Sequence, residues 1–176
     1  MTDITSTSFG LTIAYLLPGL TALVSLSFWS TTVLQIFQTF LTGQSSVGLF
    51  LMVVLTALTI GLLITVVRWA LFERWFCRSV RLQPADFASL GSKDKLEGFR
   101  AAVDEHYRYH QFWGGMTVAL PMFYVGWLQR AHKTLDCMTI LWSLLFFLGL
   151  EVLTAMAANT AYRNYVTRSR KIMTGA

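Results

Sequence analysis

Residues 47–67 read VGLFLMVVLTALTIGLLITVV, an apolar run without a single charged side chain. A helix over this run rises about 32 Å at 1.5 Å per residue, which matches the roughly 30 Å hydrocarbon core of a bilayer. The run therefore predicts a transmembrane helix. Within it, Ala57 and Gly61 form a small-xxx-small pair of the kind that lets another helix approach closely.

The composition of the whole 176-residue chain agrees with a membrane location. Hydrophobic residues make up 55% of the chain and charged residues 13%, whereas soluble domains carry roughly 25% charged residues. We therefore expect an all-α integral membrane protein whose first partner is the lipid bilayer. The net charge of +5 does not point to nucleic acid, because Lys and Arg usually mark the cytoplasmic flanks of a multipass protein.

Three further apolar segments complete the predicted architecture, which is a single membrane domain over residues 1–176. Pro18 lies in the middle of the first segment and predicts a kink there. The third segment is short and contains Pro121, so it borrows flanking residues, thins the bilayer or is re-entrant; the count of basic residues below favours a full crossing. The expected crossings are residues 9–28, 47–67, 112–129 and 135–162, and residues 68–111 form a cytosolic juxtamembrane helical segment.

A shorter amphipathic stretch follows the first crossing. From Thr32 to Leu41, apolar residues recur at helical spacing against glutamines and threonines, and no residue is charged. An uncharged amphipathic helix has no attraction to anionic lipid. It therefore favours a contact with a partner, such as a second copy of the chain, or a continuation of the first helix.

The distribution of basic residues predicts the orientation. Eight Lys or Arg lie from Arg68 to Arg108, two lie at Arg130 and Lys133, and four lie from Arg163 onward. Cytoplasmic loops carry the excess of Lys and Arg. Four crossings with both termini in the cytoplasm put twelve of these residues inside, as expected for a multipass protein of a bacterial inner membrane.

The densest group of chemically active side chains is DEHYRYHQFWGG, residues 104–115. His106 and His110 are four residues apart, so both imidazoles face one side of a helix and could share a metal ion. Membrane desaturases and hydroxylases use several such histidine boxes, and this chain has one. We therefore predict no metal site and no cofactor.

Arg100 and His106 form an R-x5-H pattern that resembles the motif of HEPN ribonucleases. The polar residue that customarily follows the arginine of that motif is replaced here by Ala101. A small chain that joins membrane helices to a basic cytosolic segment is also similar in plan to the membrane accessory proteins of some CRISPR systems. These resemblances imply a nuclease or hydrolase role for Arg100, His106 and His110, or an effector role in antiviral defence.

Aromatic residues beside the crossings are explained by the membrane itself, since Trp and Tyr are enriched at headgroup depth. The expected interface anchors are Trp69, Trp75, Tyr107, Tyr109 and Trp113. Basic and aromatic residues alternate from Arg68 to Arg78, which is typical of a lipid anchor or a docking surface.

Glu151 is an anomaly, because it interrupts the apolar fourth crossing. Carboxylates within the membrane are paired or face a wet cavity, and they often mark functional sites. We expect an ion pair with Arg68, at the cytoplasmic end of the second crossing. The alternatives are the polar lining of an oligomeric pore or a proton-linked site, and Asn159 could extend such a polar stripe.

These features predict a small multipass protein that is not an enzyme and that assembles as a homo-oligomer. Its basic and aromatic cytosolic segments would dock a cytosolic protein partner. The alternatives are an oligomeric membrane pore or defence effector, or a membrane-bound hydrolase or nuclease that uses residues 100–110.

Overall fold

The structure is a computed structural model that describes residues 2–42, 46–71, 82, 87–88 and 90–174. These residues are almost entirely helical, and no strand occurs among them. The all-α prediction is therefore confirmed. The helices are α1 (Thr2–Trp29), α2 (Thr31–Leu41), α3 (Val47–Arg68), α4 (Lys93–Ala102), a π-helical turn (Val103–Tyr107), α5 (Arg108–Ala131) and α6 (Cys137–Thr174).

Three helices are long and apolar enough to cross a membrane. They are α1 from Thr12 to Trp29, α3 with its continuation to Leu71, and α6. The prediction of a membrane protein is confirmed at this level. The segment at 112–129, expected to be the third crossing, lies in α5, which is not one of these three helices.

α1 and α3 run antiparallel with their backbones in contact. A Cβ atom at Gly19 would lie 1.8 Å from the carbonyl oxygen of Ala57, and one at Gly61 would lie 2.1 Å from the carbonyl oxygen of Tyr15. Only glycine permits so close an approach. The small-residue pair at Ala57 and Gly61 thus makes its close helix contact within the chain, with α1.

α5 lies in the middle of the bundle, where it contacts α1, α3 and α6. The residues of α5 and α1 that contact each other follow the same order along both helices. The side chain of Gln111 donates to the Tyr15 hydroxyl at 3.2 Å near one end, and Phe28 packs on Gly126 near the other. Between these, Gly115 faces Pro18. α5 therefore runs parallel to α1 over most of the apolar length of α1.

α6 runs antiparallel to α5 at the edge of the bundle. The Tyr124 hydroxyl lies 3.3 Å from the Ser143 hydroxyl at one end of the pair, and His110 contacts Ala158 nearer the other. The Asp136 carboxylate caps the start of α6 by accepting from the backbone N–H of Thr139. Most of the apolar side chains of α6 are exposed, so this helix presents its surface outward.

α6 is longer than the predicted crossing at 135–162, because the helix continues to Thr174. The buried residues of the extension recur at helical spacing: Tyr162, Val166, Ser169 and Met173. They face α4 and the π-turn, and the Lys95 ammonium donates to the Met173 carbonyl oxygen at 3.0 Å. α4, the π-turn and α5 follow one another without a break, so α6 and residues 93–131 form one long helical hairpin.

α2 folds back on its own chain. Ser30 caps its start by accepting from the backbone N–H of Val33, and Val33, Ile36 and Phe37 pack on the cluster around Leu23 and Val53. The Phe40 and Phe50 rings stack with centroids 6.2 Å apart. The apolar face of this helix therefore already has a partner in α1 and α3, which removes one reason to assign it to a second copy.

Candidate functional sites along the α5–α6 hairpin

Arg68 ends α3 in the interior of the protein, with only 2% of its surface exposed. Its side chain runs across α5, where a Cβ atom at Gly114 would lie 2.7 Å from Cδ of the arginine. Ala158 of α6 borders the same space. Gly114 thus makes room for a buried guanidinium where three helices meet.

His110 lies beside Arg68 and is fully buried. Its Nδ1 atom is 2.9 Å from the Ala158 carbonyl oxygen, so Nδ1 carries the proton and donates, because a carbonyl can only accept.

An aromatic cluster extends from His110 away from the apolar part of the hairpin. The His110 ring lies 5.0 Å from the Tyr162 ring, and the Tyr107 ring lies 5.1 Å from the Tyr165 ring. Phe99 of α4 reaches Tyr165 at 6.3 Å. Of the predicted interface anchors, Tyr107 thus packs between helices, and its position is explained by the fold.

The π-turn carries two ion pairs that point in different directions. Arg108 Nη2 lies 2.6 Å from Asp104 Oδ1 on the same helix. Glu105 instead pairs with Arg168 of α6, which also donates to His106 Nε2 at 3.4 Å. Sequence reasoning missed Arg168, because 62 residues separate it from His106 and no pattern along one helix shows which residue of another helix covers it.

His106 and His110 therefore belong to different surroundings, the first to Arg168 and the second to the buried Arg68 region. Within the described residues there is no group of three or more His, Cys, Asp or Glu that could hold a metal ion. Arg100, the third residue of the predicted nuclease pattern, is exposed at the end of α4.

The other predicted anchors are distributed as follows. Trp69 and Tyr109 are exposed, with 49% and 59% of their surfaces accessible. Trp113 is partly buried and lies edge-to-face with Phe112. Trp75, with most of the basic and aromatic stretch from Arg68 to Arg78, falls outside the described residues.

Glu151 lies in a groove of about 630 Å³ between α5 and α6. Thr117 and Asn159 also line this groove. The rest of its lining is apolar and includes Val118 and Met156. No ion pair of the described residues includes Glu151. The pair expected with Arg68 is thus not among the contacts of the structure, since Arg68 turns to Gly114 and His110 instead.

The chain matches no protein-family model, no curated protein and no solved structure.

Proposed function

We propose that this protein is a small multipass membrane protein with four crossings, the third of which is α5. The support is the parallel alignment of α5 with α1 from Tyr15 and Gln111 to Phe28 and Gly126. A helix that follows a transmembrane neighbour over that length crosses the same layer. Its weaker apolarity is no obstacle, because α1, α3 and α6 cover it and lipid meets little of its surface.

With this topology both termini and residues 68–111 lie in the cytoplasm, most simply of a bacterium. The polar end of the hairpin, where α4 packs on the last turns of α6, then projects from the membrane. Its exposed charges include Lys93, Arg100 and Arg170. This end is the docking surface that we propose for a cytosolic protein partner.

We further propose that the protein is not an enzyme and that it assembles with copies of itself through α6. The observation that carries this proposal is the position of Glu151. Thr117 and Val118 of α5 lie in the same groove, so the carboxylate sits near the middle of the proposed crossing, on a helix at the edge of the bundle. A carboxyl group at that depth is costly in lipid, and a second α6 would cover it.

Cysteine cross-linking in membranes tests this assembly. In a chain whose Cys77 and Cys137 are replaced by Ser, Val152→Cys on α6 should form a disulfide-linked dimer under mild oxidation. Leu62→Cys on α3 is the matched control, because the two side chains are similarly exposed, at 57% and 55%. A cross-link at Leu62→Cys with none at Val152→Cys, or none at either position, would refute assembly through α6.

A membrane pore is the second candidate function, and the groove favours it. Thr117, Glu151 and Asn159 are polar residues on an otherwise apolar surface. In an oligomer packed around an axis, each copy would face these residues toward a shared channel. Protein in liposomes should then pass cations, and Glu151→Gln should reduce the flux while Asp136→Asn, at the start of α6, should not. Equal flux with both variants would exclude Glu151 as a pore lining.

A further inference from the structure

A second cavity lies between the first half of α1 and the π-turn, and none of the roles proposed above uses it. It has a volume of about 610 Å³. Its walls are apolar on one side, at Ile13, Ala14 and Phe112, and carry three charged side chains on the other, at Asp104, Glu105 and Arg108. A cavity with this division suits an amphipathic ligand, one with an apolar part and a charged part.

The cavity lies at the edge of the apolar layer. The apolar part of α1 begins at Thr12, and Gly10 of α1 contacts the Arg108 side chain. Residues 10–14 and 104–112 therefore bracket the level at which lipid headgroups meet acyl chains. The amphipathic molecules available at this level are the phospholipids themselves.

The charged side chains that line the cavity are net negative, with Asp104 and Glu105 against Arg108. The two carboxylates pair with Arg108 and Arg168, yet their side chains remain 43% and 55% exposed, against 12% for Arg108. Carboxylates bind a ligand that donates hydrogen bonds from a positive group, and they repel an anionic headgroup.

The π-turn brings these groups to one place. It interrupts a long helix over Val103–Tyr107, and both carboxylates lie within it. A π-turn inside an α-helix often marks a functional site. Here it carries Asp104 and Glu105 in the wall of the cavity, while Glu105 also contacts Arg168 of α6.

We propose that this cavity binds a phospholipid with a primary-amine headgroup. The ammonium lies between Asp104 and Glu105, the phosphate lies beside the Arg108 guanidinium, and an acyl chain follows Ile13, Ala14 and Phe112. The bound lipid fills the gap between α1 and the π-turn, so it joins the membrane part of the protein to the base of its polar hairpin.

Native mass spectrometry of the full chain tests the proposal. The protein is released from nanodiscs that contain equal amounts of phosphatidylethanolamine, phosphatidylcholine and phosphatidylglycerol with the same acyl chains. We expect phosphatidylethanolamine to be retained roughly tenfold over the other two, the effect of one charge-assisted hydrogen bond. Stepwise N-methylation of the headgroup should lower retention at each step, because each methyl removes an N–H donor.

The variant Asp104→Asn with Glu105→Gln should abolish this preference, and Glu97→Gln is the matched control, since it removes an exposed carboxylate outside the cavity. If the double variant fails to fold, Ala101→Trp blocks the cavity without removing a charge, because Ala101 is an exposed residue of its wall. Equal retention of the three lipids, a preference for phosphatidylglycerol, or an unchanged preference in the folded variants would overturn the proposal.

Discussion

The His110 imidazole donates from Nδ1 to the Ala158 carbonyl oxygen at 2.9 Å, and this bond joins α5 to α6 next to the buried Arg68. A carbonyl in the interior of α6 already accepts from its own helix, so the histidine uses the second lone pair of that oxygen. The bond fixes the level at which the two halves of the hairpin meet.

The contact between α1 and α3 should tolerate no added side chain. Gly61→Ala places a methyl group against the Tyr15 carbonyl, so the helices must separate, at a cost of about 1–3 kcal/mol or more. Gly149→Ala on α6 is the matched control, since nothing lies within 4 Å of its added Cβ and alanine favours a helix. The melting temperature should fall for Gly61→Ala and not for Gly149→Ala. Similar melting temperatures for the two variants would show that α1 and α3 are not in backbone contact.

The proposed orientation can be tested with cysteines at two exposed turns. On the Cys77→Ser, Cys137→Ser background, an impermeant maleimide should label Thr134→Cys in intact cells, because the turn between α5 and α6 lies outside. Gly91→Cys, just before α4, should react only after the membrane is permeabilised. The reverse pattern would place the polar hairpin outside the cell and reject the positive-inside assignment.

The end of the hairpin should depend on Lys95. Its ammonium donates to the Met173 carbonyl at 3.0 Å, one of the last carbonyls of α6, which have no partner within the helix. Lys95→Ala should speed amide hydrogen exchange over residues 163–174, whereas Lys93→Ala, 87% exposed in its pair with Glu97, should not. Equal exchange rates in the two variants would show that the bond does not hold α4 to α6.

The sequence alone predicted the features that depend on one helix. The apolar run at 47–67 predicted α3. Ser92, a residue type that favours helix N-caps, caps α4 by accepting from the backbone N–H of Lys95. Phe99, Tyr107 and His110 recur at helical spacing, and all three take part in the aromatic cluster. In each case the relevant interaction is local or follows helical spacing.

Contacts between helices were not predictable in this way. The expected pair of Arg68 with Glu151 came from estimated depth along two helices, and depth does not show which faces meet. Gly114 provides the space beside Arg68 and thus turns its side chain toward His110. Likewise, Ala57 and Gly61 indicated a close helix contact, but nothing in their spacing showed that the neighbour was α1 of the same chain.

The central position of α5 also bears on how the protein is synthesised. A segment of limited apolarity partitions poorly from the translocation channel into lipid by itself, and α5 was not among the helices apolar enough to do so. Its neighbours α1 and α3 are made before it, and Pro18, Phe28 and Arg68 of these two helices contact the glycines of α5. In the four-crossing topology that we propose, membrane insertion of α5 is therefore an assembly step that depends on the earlier helices, and a fault in the contact between α1 and α3 would appear first as a failure to integrate α5.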